Sequence, residues 1–197
     1  MPVRGRVVSE GIRFAAEISS DPSAVVTLWK ALTGGYAAGF LPSTPVPELL
    51  HAAGLLPIPL DSPEDPSRRS FRIDVCLPGI GTRPANVEEA LDRMEALSEW
   101  ASTVSGSPAS EGAIWKSIRA FDARRVLLSA LEERYAKEPD FLTPGERGDI
   151  VRSGSFLPPE AHSRLLALIL GIDHDPASPP AEEERGDPLI VLAKRLM

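Results

Sequence analysis

Residues 45–61 read PVPELLHAAGLLPIPLD, and this stretch limits the architecture more than any other part of the chain. A short apolar helix around Glu48 to Ala53 runs into Gly54, the residue type that most readily takes a left-handed cap. LLPIPL then reads as a strand. Its two prolines cannot donate to a ladder, so the strand belongs at a sheet edge. Just upstream, YAAGFL reads as a short buried strand, and SerThrProValPro as the turn that launches the helix. The remaining prolines, of 20 in all, fall between apolar segments in the same way. The chain is therefore a series of short elements joined by stiff turns.

Around this stretch, GIRFAAEI reads as an amphipathic helix. Asp21-Pro22 supplies a cap and a first-turn proline for a helix over SAVVTLWKAL, which ends at Thr33-Gly34-Gly35. Residues 61–70 are a polar loop. FRIDVCL (71–77) reads as the clearest strand, a β-branched and aromatic run bounded by turns. The second half is helical. Asn86 with Glu89 starts a long amphipathic helix to Ser105, closed by Gly106. A second helix runs over 111–136 behind a Ser110 cap. Thr143-Pro144-Gly145-Glu146 opens a short third helix, and 158–170 forms a fourth, closed by Gly171. Residues 172–187 are an acidic, proline-rich linker. PLIVLAKRLM is a last helix, apolar on most sides, expected to seek cover that this chain does not supply. The expected fold is α/β, a partial open sheet followed by an α-helical segment. The expected parts are an abbreviated α/β domain (1–80), a helical segment (86–171), the linker (172–187) and the terminal helix (188–197).

Composition excludes several functions. The net charge of −7 disfavours binding to nucleic acid or to an anionic membrane. No apolar run reaches the roughly 18 residues of a membrane span, and MPVRGRVVSEGIRF lacks the apolar core of a signal peptide, so a cytoplasmic location is expected. The single cysteine, Cys76, excludes an intrachain disulfide framework and an all-cysteine metal site or iron–sulfur cluster held by this chain alone.

Candidate sites divide unevenly. Gly79-Ile-Gly81-Thr-Arg-Pro follows a strand, but it lacks the third glycine of a dinucleotide fingerprint and the lysine of a P-loop, so it reads as a turn. His174 in AspHisAsp reads as part of a solvated acidic loop, and His162, between Glu160 and Arg164, as solvent-exposed. Arg124-Arg125 could reach an anionic ligand, although a solvated or salt-bridged face is favoured. Cys76, at the end of a buried strand, reads as a packing residue. Ser43 and Thr44 occupy the turn before the short helix. Glu48 and His51 stand three apart on one face of that helix, a pair able to do proton chemistry or to cap the helix at the surface.

GFLPSTPVPELLHAAGLLPIPL resembles the N-terminal signature of the 2-hydroxyacyl-CoA dehydratase and benzoyl-CoA reductase family. The match lies on Gly39, Phe40, Glu48, Leu49, His51, Ala52, Ala53, Gly54 and Pro57. LSEWASTVSGSPASEGAIWKSIRAFDARRVLLSALEERY resembles the family's helical segment, with Asp122 and Arg125 at its Asn-x-x-Arg pair, and FLPPEAHSRLLALIL resembles the short helix that follows. The likeness covers about residues 29–171, in consistent order. It implies open α/β domains of the Rossmann or flavodoxin kind and a [4Fe-4S] cluster held by cysteines. It also implies one-electron chemistry that dehydrates a 2-hydroxyacyl-CoA or reduces an aromatic acyl-CoA.

The departures shape the expectation. Pro42 stands at the family's cysteine position, and proline cannot ligate iron. The family's section with a further cysteine is missing between LPIPLD and FRIDVCL, and its second α/β domain would begin about where this sequence stops. The resemblance thus implies a partial or non-catalytic subunit, with no cofactor bound by this chain alone. It would work beside a paralogous dehydratase or reductase subunit, docked through the helical face and the last helix. Ser43, Thr44, Glu48 and His51 would face a possible acyl-CoA ligand. The alternative is a structural or acyl-CoA-binding scaffold module docking a cluster-bearing paralogue.

Overall fold

The computed structural model describes residues 5–41, 47–61, 71–77, 84–172 and 187–196. Pro42, Ser43, Thr44, the turn at 78–83 and His174 with its acidic tract lie outside them. The chain divides into two compact units, each assembled from distant segments. Unit 1 is Met1–Val26 with Ala120–Pro179, and unit 2 is Thr27–Arg119 with Pro180–Met197. The division does not follow the sequence partition at residues 80–86. It falls inside two helices, α2 (Pro22–Thr33) and α5 (Glu111–Lys137).

Unit 2 holds the sheet. Strands β1 (Ala37–Phe40), β2 (Leu56–Pro59) and β3 (Val75–Cys76) are parallel, in the order β2-β1-β3. The α/β expectation holds for this unit. Leu56 and Leu60 donate their N–H groups to Tyr36 and Phe40 of the β1 side, at 2.9 and 2.8 Å. The alternation turns Pro57 and Pro59 away from β1, where no N–H is required, and β2 is indeed an edge strand. Gly39 is forced by close packing: a Cβ there would lie 2.6 Å from Leu60 Cδ1 and 3.3 Å from Cys76 Sγ.

Helix α3 (Pro47–Ala52) ends abruptly for a local reason. Gly54 takes φ 79°. Its N–H meets the His51 carbonyl while that of Leu55 reaches back to Leu50, at 2.9 and 3.0 Å. This is the paired closure of a Schellman cap. Around α3 pack α4 (Val87–Ser105), the first part of α5 and α8 (Pro188–Leu196). Leu49 and Leu50 share their core with Met94, Leu97, Ile118 and Leu192.

Three expectations need correction here. The run 71–77 is not one strand, because Arg72 adopts φ 51° in a turn and only Val75–Cys76 pair with β1. Cys76 is part-exposed rather than buried. The last helix finds its cover within unit 2, where Leu192 and Ala193 are buried in the unit's own core.

Among its described residues, unit 1 has helices as its regular secondary structure. Helix α1 (Arg6–Ser20), the later part of α5, α6 (Pro144–Ser153) and α7 (Pro159–Leu170) enclose a core that includes Ala15, Leu131, Leu142, Ile150 and Leu166. Thr143 and Glu146 form the expected reciprocal capping box on α6. Among the described residues, no helix is long and apolar enough to cross a membrane.

Candidate functional site

The short helix α3 carries the sequence-predicted pair Glu48 and His51, and neither is a surface residue. Glu48 is only 3% exposed. Its carboxylate faces the Arg195 guanidinium of α8, with Nη1 3.5 Å from Oε1. His51 is partly buried, and its Nδ1 lies 2.9 Å from Ser117 Oγ of α5. Ser117 in turn donates its hydroxyl to the Glu48 carbonyl at 2.7 Å. A hydroxyl has one proton to give. With that proton on the carbonyl, His51 Nδ1–H is the donor to Oγ, and in the neutral ring Nε2 is the acceptor nitrogen.

The arrangement joins three elements of unit 2. One turn of α3 is tied to α5 through Ser117 and to α8 through Arg195. Ser117 is not an activated nucleophile, since its proton is held by a backbone carbonyl and its Oγ accepts from the imidazole. The sequence reading missed both Ser117 and Arg195. The signal for Ser117 was present: it stands at a core position beside Ile114, Ile118 and Phe121 in the apolar stripe of α5, where a polar group needs a partner. Arg195 had no local signal.

Unit 1 contains a second polar cluster, and it corrects the reading of His162. That residue is fully buried. Its Nε2–H donates to the Ile150 carbonyl at 2.9 Å, while Nδ1 finds no partner among the described residues. Burial pushes the imidazole pKa down to about 4. The Ile150 carbonyl opposes that shift, and the nearby Arg124 charge adds to it. The ring lies against Gly154, where a Cβ would come within 2.4 Å of Nδ1. Arg124 donates to the Gly154 carbonyl at 3.1 Å and lies over the Phe121 ring, 4.6 Å from its centroid. Arg125 pairs with Asp122, the position of the family-like Asn-x-x-Arg pair. The two arginines thus have separate internal contacts.

The sequence has one cysteine, and its Sγ packs against Gly39 in the sheet. Among the described residues, no three His, Cys, Asp or Glu side chains converge to hold a metal ion. Fold and site together define a protein with one helical unit and one α/β unit, the latter's short parallel sheet flanked by a short helix whose polar residues tie it down. No family model and no curated protein matches the chain.

Proposed function

We propose that this chain is a non-catalytic, partial subunit related to the 2-hydroxyacyl-CoA dehydratase and benzoyl-CoA reductase family, acting as a scaffold beside a cluster-bearing paralogue. The observation that carries the scaffold reading is the engagement of Glu48 and His51. In the resemblance they would face acyl-CoA, yet here they hold α3 to α5 and α8. The sequence order of strand, short helix, glycine cap and proline-bearing edge strand supports the family relation. Redox chemistry in such a family belongs to the cofactor, with the protein supplying binding and orientation. A chain with one thiol is left with the second role.

Two measurements test this. Anaerobic reconstitution with iron and sulfide should give no visible cluster absorbance on the purified chain; a full cluster spectrum would defeat the non-catalytic reading. Titration calorimetry with acyl-CoA thioesters separates a pure scaffold from one that keeps a thioester groove. Binding heat lost in Ser43→Ala/Thr44→Ala would favour a groove that Ser43 and Thr44 help to form.

A further inference from the structure

The outer side of unit 1 carries apolar surface that its own core does not use. On α1, Val7 is 55% and Phe14 49% exposed, and on α7 Leu168 is 42% exposed. These side chains lie together. Val7 and Phe14 stand four before and three after Gly11, so they share its side of α1. Leu168 covers that glycine so closely that a Cβ would come within 2.9 Å of its Cδ2. Ile172, just past the Gly171 cap, is 45% exposed. Gly5, Val8 and Gly171 line one cleft, which brings the start of α1 beside the end of α7.

A ridge of charge runs beside this patch. Arg6, Glu10, Arg13 and Glu17 follow one another at helical spacing, paired as Arg6–Glu10 at 2.9 Å and Arg13–Glu17 at 3.6 Å. All four are at least half-exposed. Their signs alternate from plus to minus along α1. Read in the opposite direction the order inverts, so an antiparallel copy brings Arg6 to Glu17 and Glu10 to Arg13. A two-fold interface requires such a self-complementary pattern, whereas a foreign partner does not.

We propose that the α1–α7 face of unit 1 is an isologous interface, at which a second copy of this chain docks antiparallel along α1. The inference is independent of the acyl-CoA reading. The same two-fold sets each Phe14 at the level of Ser9 in the other copy, within one turn of the site where Leu168 covers Gly11. The aromatic rings then fill the apolar strip, and the charge ridges flank it. With so few apolar side chains from each copy, the interface belongs to the small size class and the dimer is concentration-dependent.

Sedimentation equilibrium on the full chain tests the assignment. The wild type should pass from monomer to dimer as concentration rises. Arg6→Glu/Arg13→Glu makes the ridge wholly acidic, and Glu10→Lys/Glu17→Lys makes it wholly basic. Each variant alone should weaken self-association by at least about tenfold, because like charges then replace attractive contacts. Mixed in equal amounts, the two should recover wild-type affinity as a heterodimer, an outcome that loss of structure cannot produce. Circular dichroism verifies that both stay folded, and Phe14→Asp should leave only monomer. A wild-type chain that stays monomeric at every concentration overturns the proposal, whether the face then takes another protein or none. So does an unchanged dimer in both charge variants.

Discussion

Each unit encloses a histidine that gives one ring proton to an oxygen, and the two settings differ in everything else. In unit 1, His162 is fully buried, bonded to one backbone carbonyl, with its other nitrogen meeting no donor among the described residues. In unit 2, His51 is only partly buried, and its acceptor is a hydroxyl that passes its own proton to the Glu48 carbonyl. The contrast separates two ways of keeping polar groups inside. One relies on neutrality in a buried site. The other links several groups so that each has a partner. A buried site of the first kind fails when its group gains charge, and a linked site when one member is cut away.

The largest expected effect is therefore acid destabilisation of unit 1. The unfolded imidazole binds its proton near pH 6.5, but the folded one only near 4. Between these values the unfolded chain holds more protons, so stability falls as pH drops through that window. Below about 4 both states are protonated and the loss stops growing. It amounts to roughly 3 kcal/mol. Urea unfolding at stepped pH measures it, with His162→Gln as the comparison. Glutamine can still donate to Ile150 but does not titrate, so the loss across this window should shrink by most of that amount. An unchanged pH profile would remove His162 as the cause.

Unit 2 should respond to cutting one of its links. Arg195→Met takes the guanidinium away from the buried Glu48 carboxylate, at a cost of about 2 kcal/mol. Glu48→Gln should cost about half as much, because Arg195 is 33% exposed and can turn to water. Thermal unfolding of the two single variants and the double settles the sign of the asymmetry. Equal costs would mean that the ion pair does not set the order.

A third effect sharpens the view of the His162 site. Gly154 has φ −66°, a conformation open to any residue, so the backbone permits Gly154→Ala and the nearest obstacle is the His162 ring. The ring has little room to retreat, and overpacking of this kind costs about 1.5 kcal/mol. Gly148→Ala, where a new Cβ would meet nothing within 4 Å, is the matched control. If both substitutions proved harmless, the contact at Gly154 would not be restrictive.

What could be read from the sequence follows the range of the forces involved. Caps at Asn86, Thr143, Gly54, Gly106 and Gly171 are local, and all are present where the residue types place them. The proline-bearing edge strand was legible for the same reason. His162 was misread because its sequence neighbours are charged. Its helical neighbours, Leu165, Leu166 and Ile169, are apolar and buried, and that spacing carried the better signal. The fate of α8 could not be read at all. Its apolar residues are satisfied by helices far away in sequence, and no local pattern announces a long-range partner. The Glu48–Arg195 contact spans that same distance.

Ser117→Ala is the smallest effect and the most direct probe of the linked site. It removes the acceptor of His51 Nδ1–H and the donor to Glu48 in one step. Two deleted hydrogen bonds suggest a larger penalty than acid at His162, but the two sites differ in their access to water. His51 is partly buried, so solvent can replace Oγ at the ring, and only the Glu48 carbonyl is left short. The expected cost is about 1 kcal/mol. Nitrogen chemical shifts of the His51 ring supply a second readout: Nδ1 is the protonated nitrogen of the neutral ring in the wild type and should lose that preference in the variant. A loss matching that at His162, with the tautomer unmoved, would mean that Ser117 acts by packing and that the hydroxyl is not the link between α3 and α5.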